Sequence, residues 1–425
     1  MAVSERQGPN GAATLNDVAQ TGMSRIDRWL VSEVYYPEET STGHYMTLIA
    51  EGLARRTRVG VICARPNYSR RGAPVPARET RRGVEIFRCW GSTFDKNRLP
   101  LRLINMITLG TVMFFSVLRR IRRHDRVLVG TNPPVLPFLV AIACRLRGAR
   151  CVLKVEDVYP DNMIVAGLIS RGGWIARGLN GLNRRLYLGM ETILVLGRDM
   201  ARCVREKAGP AVPPVVRIPN WADLDTICPL PRAQNILLSE LKLRGKFVVG
   251  YAGNIGPLQN IGFLFNCMQV LRSDPRIHFL VIGSGKMAGW LGRAVQEAGL
   301  ANVTLLGPKP REEQTVFLGA CDLGIVSLSA GMAGLGVPSR VYNLMAAGRP
   351  VIAAVDTDSE IAALVAEEQI GWVVPPGDTA AFVGAIRAAC SDPAGVALRG
   401  ERARQAAERT YAPETVIEQY CQILL

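Results

Sequence analysis

Arg340 stands in the first turn of a short helical stretch, where a cation opposes the helix dipole and weakens the helix. The approach to it, Gly336-Val337-Pro338-Ser339, ends in a proline whose missing N–H costs nothing there and a serine suited to capping free N–H groups. Gly348 supplies the stop, Pro350 prevents continuation, and residues 351–355 read as a buried strand. Free N–H groups and a guanidinium gathered at one point suit an anion, above all a phosphate. A capped helix in an ordinary α/β domain is the alternative on this stretch alone.

A second constellation is acidic. The stretch 154–161, Lys-Val-Glu-Asp-Val-Tyr-Pro-Asp, ends an apolar strand and turns outward on Glu156 and Asp157. Acids at the carboxyl end of a parallel strand face the ligand crevice, so contact with substrate is expected; helix capping by Asp157 or Asp161 is the structural alternative. Two glycine loops follow strands, Gly253-Asn254-Ile255-Gly256 and Gly283-Ser284-Gly285-Lys286. Such a loop is a weak phosphate signal by itself, because many tight turns look the same. His44, near the start of the first helix, is a candidate general base or acceptor contact, with an inert loop histidine as the alternative. Asp356-x-Asp358 has the spacing of a cation pair but follows the strand after the Arg340 helix, and is read as structural. With three histidines and no C-x-x-C pair, no metal site is expected.

These stretches, together with 35–39, 42–45, Arg65-Pro66-Asn67-Tyr68 and Ile218-Pro219-Asn220-Trp221, resemble the GT4 glycosyltransferases of GT-B fold. Within that family they resemble the WbuB-like and colanic-acid branch that builds cell-surface polysaccharides, from about Trp29 to the C-terminus. The resemblance implies two doubly wound Rossmann-like α/β domains facing a cleft. It implies retaining transfer of a sugar from a nucleotide-diphosphate donor, UDP-sugars being favoured, to a lipid-linked or glycan acceptor, with no cofactor or essential metal. Glu156, Asp157 and His44 would act at the transfer centre. Gly253, Asn254, Gly256, Lys286, Ser339 and Arg340 would hold the diphosphate, and Asn343 and Glu360 the ribose and base. The chain departs from the family at five positions. Glu156 stands where many relatives carry His, Asn254 and Gln259 where many carry Arg and Lys, and Leu335 and Asn343 where two acids often stand. Leu335 cannot act as a polar side-chain contact, whereas Asn343 can still hydrogen-bond a ribose. An epimerase of similar fold acting on nucleotide sugars, and a non-catalytic membrane-associated assembly factor, are the rival functions.

The elements needed to position these groups are legible as alternating strands and helices across 425 residues, length enough for two domains. The expected boundaries are a disordered extension 1–24, an acceptor-side domain 25–217, a nucleotide-sugar domain 218–412, and a last helix 413–425 crossing back to the first. The break falls in 210–231, which holds six prolines. No signal peptide is read, and cysteines in apolar runs (Cys63, Cys144, Cys151, Cys267) point to free thiols in a reducing cytoplasm. Residues 1–217 hold 34 Lys+Arg against 17 Asp+Glu; residues 218–425 hold 17 against 19. One basic half implies an anionic partner. With 6% aromatics and no motif interleaving them with the basic residues, nucleic acid is not expected. The apolar segment 99–118, followed by Arg119, Arg120, Arg122 and Arg123, is read as a helix lying in the anionic inner face of the cell membrane, a buried domain helix being the alternative.

Overall fold

The computed structural model describes residues 25–67, 72–94 and 99–425. The expected extension 1–24, and Tyr68 of the 65–68 motif, lie outside the described residues.

Val-, Ile- and Leu-rich runs buried on both faces build two parallel sheets, because only a strand covered by helices on both sides gains from such a sequence. The first contains β1 (Arg28–Ser32), β2 (Val59–Ala64), β3 (Arg78–Arg81), β4 (Val84–Cys89), β5 (Arg126–Gly130), β6 (Arg150–Val155), β7 (Thr192–Val195) and β8 (Val215–Arg217), in the order β3-β4-β2-β1-β5-β6-β7-β8. Only β3 is antiparallel, folded back on β4 through Arg82 and Gly83, both at positive φ. The second contains β9 (Phe247–Ala252), β10 (Ile277–Ile282), β11 (Val303–Leu306), β12 (Leu323–Ser327), β13 (Val351–Ala354) and β14 (Gly371–Val374), in the order β11-β10-β9-β12-β13-β14. The strand order reverses between β1 and β5 and again between β9 and β12. A crevice opens at the carboxyl ends of the strands at each such reversal.

The helix Pro413–Leu424 packs on the first-domain helix Ser41–Ala54. Gly52 makes this possible: a Cβ there would lie 2.3 Å from Cγ2 of Ile417. Trp221 is buried edge-on against Tyr45, with ring centroids 4.6 Å apart, and Tyr420 meets its other side. The chain therefore ends on the domain in which it began.

The helix Leu99–Arg120 is the one helix among the described residues long and apolar enough to cross a membrane, yet its inner face belongs to the first domain's core. Leu109, Met113 and Val117 are buried against the sheet. Its polar residues also turn inward. Asn105 accepts from the Ser92 hydroxyl (2.8 Å) and donates to the Phe94 carbonyl (3.0 Å), and Ser116 accepts from Arg120 (2.8 Å). Leu103, Ile104, Ile107 and Phe115 remain exposed on the outer face. The neighbouring helices continue this surface with Ile142 and Leu146 on Leu136–Arg147 and Trp174, Ile175 and Leu182 on Trp174–Leu188.

Candidate active site

A cavity of about 550 Å³ lies between the domains. The first domain contributes Glu39, Thr40 and Ser41, where the chain enters the Ser41–Ala54 helix. The second contributes the loops after β9, β10 and β11 and the start of the helix Arg340–Ala346. A smaller cavity of about 240 Å³ adjoins it, sharing Ser41, Gln259, Pro338 and Ser339. Glu156 and Asp157 line the smaller one.

Backbone approach explains the glycines of the larger cavity. Gly283 (φ +145°) has no room for a side chain, since a Cβ would sit 1.9 Å from the Gly253 carbonyl oxygen. Gly253 (φ +139°) leaves its side-chain position to Arg340, whose guanidinium carbon would lie 3.3 Å from a Cβ there. The guanidinium stacks 4.4 Å from the ring centroid of Tyr251, and the Tyr251 hydroxyl donates to the Asn254 carbonyl. Arg340 is thus fixed by one aromatic ring and one glycine. Among the described residues no carboxylate pairs with it, and its buried Nη1 has no hydrogen-bond partner. A charged donor group held rigidly without an anion beside a cavity is matched to an incoming anion. Asn254 and Asn343 line the same cavity.

The acids are arranged differently. Thr131 Oγ1 accepts from the N–H of both Glu156 (3.1 Å) and Asp157 (3.2 Å), fixing the turn that follows β6. Lys154, itself buried, donates to Glu156 Oε1 at 2.6 Å, and Thr42 donates to Oε2 at 3.0 Å. Among the described residues, the Asp157 carboxyl receives only the Asn162 amide, at 3.0 Å. Burial, and then the Glu156 charge, raise the Asp157 carboxyl to about 6. Neither Asp157 nor Asp161 caps the short helix Asp161–Val165; Asp161 pairs with Lys207 at 2.6 Å.

Five expectations are corrected. Ser339 does not cap its helix: its own backbone is already helical (φ −63°, ψ −16°), and its hydroxyl instead meets Ser41 of the other domain at 3.2 Å. Glu360 lines neither cavity. It is buried, with Oε2 accepting from the Arg198 N–H (2.7 Å) and Nε (3.0 Å) and Oε1 paired with Arg217 (2.8 Å). His44 lines neither cavity; its Nε2 faces Asp223 at 3.8 Å, and burial with the neighbouring Arg311 lowers it to about 4. Lys286 is exposed and lines neither cavity, although Gly283 and Ser284 of its loop do. Gly256 also lies off the walls, where its bare Cα lets the Asn254 and Gln259 amides meet (3.4 Å). Asp356 accepts from the N–H groups of Gly331 (3.2 Å) and Ala333 (2.9 Å), while Asp358 pairs with Arg202.

Several residues escaped the sequence reading. Tyr251 reads as an ordinary strand residue, and nothing in its surroundings signals a platform for Arg340. Lys309 follows β11 on the cavity wall, and its place at a strand's carboxyl end was the available signal. Lys154 and Thr42, which occupy both oxygens of Glu156, come together only in three dimensions.

Two Rossmann-like halves whose strand ends close on an anion-ready cleft define the GT-B fold. Residues 41–221 match the family described as glycosyl transferase 4-like domain, and 246–392 that of glycosyl transferases group 1. The probable glycosyltransferase WbjE of Pseudomonas aeruginosa is 32% identical over 87% of this chain and 90% of its own length. The putative colanic acid biosynthesis glycosyl transferase WcaI of Escherichia coli (strain K12) is 27% identical over 91% of this chain and 96% of its own. The structure of HepE from Anabaena in complex with UDP-glucose superposes with a TM-score of 0.69 at 16% identity, covering 93% of this chain and 98% of the other. The chain belongs to the group 1 (GT4) glycosyltransferases.

Proposed function

We propose that this protein transfers a sugar, with retention, from a UDP-sugar to a lipid-linked acceptor in the assembly of a surface polysaccharide. The observation that carries the reading is the unpaired Arg340 held on Tyr251 in the larger cavity, next to a smaller one lined by Glu156 and Asp157. The nucleotide diphosphate fills the first and the sugar reaches into the second. As the bond from anomeric carbon to phosphate oxygen breaks, its electron pair goes to the diphosphate. Arg340 and the N–H groups of the Gly253 and Gly283 loops stabilise that charge. The acceptor hydroxyl attacks on the face from which the diphosphate leaves, and its proton passes to the departing phosphate oxygen. Asp157 and Glu156 orient the acceptor hydroxyl. Support for UDP comes from HepE, solved with UDP-glucose, and for the polysaccharide from the similarity to WcaI, a putative colanic acid biosynthesis glycosyl transferase.

The acceptor assignment rests on the outer face of the first domain. Ile107, Phe115, Leu146 and Trp174 are each more than 60% exposed on three adjoining helices. Arg119, Arg123, Arg145, Arg147, Arg177 and Arg185 are exposed on the same elements and the turn after the first. An apolar face rimmed by cations matches the inner leaflet of an anionic membrane, where a lipid-linked acceptor resides. The deciding experiment incubates the protein with UDP-sugars and a lipid-diphosphate sugar acceptor and looks by mass spectrometry for a new glycosidic product. A product with the donor's anomeric configuration is expected. Interconversion of the nucleotide sugar without product would make the protein an epimerase, and no consumption of any nucleotide sugar would make it an assembly factor.

A further inference from the structure

The two walls of the smaller cavity differ in chemistry. The wall that carries the acids presents Thr42, Glu156, Asp157 and Asn220, with Tyr45 and Leu196 beside them. The second presents Leu258, Leu328, Met332 and Val337, with Gln259 and Ser339 only at the mouth shared with the larger cavity. Leu328, Met332 and Val337 are each less than 8% exposed, so this wall is a piece of core laid open to the site.

The wall is also held in place. Asp356 takes the N–H groups of Gly331 and Ala333, and Asp199 of the first domain takes that of Gly334 at 2.8 Å. The Leu335 carbonyl accepts from the N–H of Val158 at 3.0 Å, across the domain boundary. The strap is therefore tied at four points between Gly331 and Leu335, and Leu335 lines a separate groove, not this cavity. The segment 330–338 contains no polar side chain that could face the cavity.

We infer that the transferred sugar carries a methyl group, as 6-deoxy and 2-acetamido sugars do, and that Leu328, Met332 and Val337 select it. The inference rests on the transfer reading above, in which the sugar occupies this cavity. A hydroxyl facing these side chains would give up water without gaining a partner, whereas a methyl group gains by the same burial. Contacts with one methyl group in an apolar pocket discriminate by roughly 10- to 200-fold.

The test compares kcat/KM for UDP release from UDP-glucose, UDP-N-acetylglucosamine and UDP-6-deoxyglucose under identical conditions. At least one methyl-bearing donor should exceed UDP-glucose about tenfold, and which of the two does so identifies the methyl group that is read. Met332→Gln and the near-isosteric Val337→Thr should each cut that ratio at least about threefold, and the second keeps the test valid should the first fail to fold. Equal use of all three donors by the wild type, or an unchanged ratio in a folded variant, overturns the inference and leaves glycosyl transfer standing. Failure to release UDP from any of the three overturns the transfer reading and this inference with it.

Discussion

Glu360, buried, and Asp157, half-buried, are both acids at the boundary between the domains, and they behave as opposites. Glu360 spends both oxygens on Arg198 and Arg217, and its own N–H goes to Asp199 at 3.0 Å. Asp157 receives one amide, lies beside a Glu156 whose lysine is already engaged, and opens on a cavity. Asp157 is the less buried of the two and by far the less saturated. A saturated buried carboxylate fastens two domains, while an undersupplied one beside a cavity has room for a substrate hydroxyl to donate the missing hydrogen bond.

The sharpest way to break this contrast is Asp157→Asn. Turnover should fall by roughly 10²-fold, the scale of a lost positioning contact on a reacting hydroxyl, with UDP affinity unchanged. The same residue predicts a pH signature. Its folded carboxyl titrates near 6 and its unfolded one near 3.8, so between these values the folded state holds a proton the unfolded chain has released. Stability should therefore decline as pH rises through that window, by up to about 3 kcal/mol, and Asp157→Asn should flatten the decline in urea titrations. Turnover, which needs the ionised form to accept the acceptor's hydrogen bond, should rise with pH through about 6. Wild-type turnover in Asp157→Asn would return this residue to a structural role.

Glu360→Ala should show the reverse pattern, a loss of about 2–3 kcal/mol in stability by denaturant titration with UDP affinity preserved once folded. A fall in UDP affinity without loss of stability would restore Glu360 to the nucleotide site. A smaller effect concerns the outer face of the first domain. Binding to anionic vesicles should weaken with added salt and with removal of Arg119 and Arg123, and should be slight on neutral vesicles. Indifference to anionic vesicles at low salt would point to a soluble acceptor. The smallest effect belongs to Ser339→Ala. Because the hydroxyl caps nothing, stability should change by less than about 0.5 kcal/mol, where removal of a true cap costs about 1 kcal/mol.

The sheets were legible because runs such as those of β2, β9 and β13 are almost wholly apolar, as a doubly covered strand requires. β3, with the sequence Arg-Glu-Thr-Arg, was not: an edge strand is held by backbone pairing and carries no apolar signature. In the site, Arg340 and the acid pair could be read because strand ends and helix starts face the crevice in this fold. Glu360 also follows a strand and opens a helix, so the same rule pointed to it. What the rule could not convey is that Arg198 and Arg217 reach that helix start from the other domain. Ser339 misled similarly, since its residue type suits a cap but its conformation is already helical. Tyr251 left no trace in the pattern, because a ring beneath a cation reads in sequence as any buried aromatic.

The central claim is that the Arg340 cavity binds a nucleoside diphosphate, and calorimetric titration of UDP into wild type and Arg340→Ala tests it directly. Wild type should bind, and the variant should lose roughly 1.5–3 kcal/mol, about 10- to 150-fold in affinity, with its fold intact. Equal UDP affinity in the two proteins, or none in the wild type, would contradict the account.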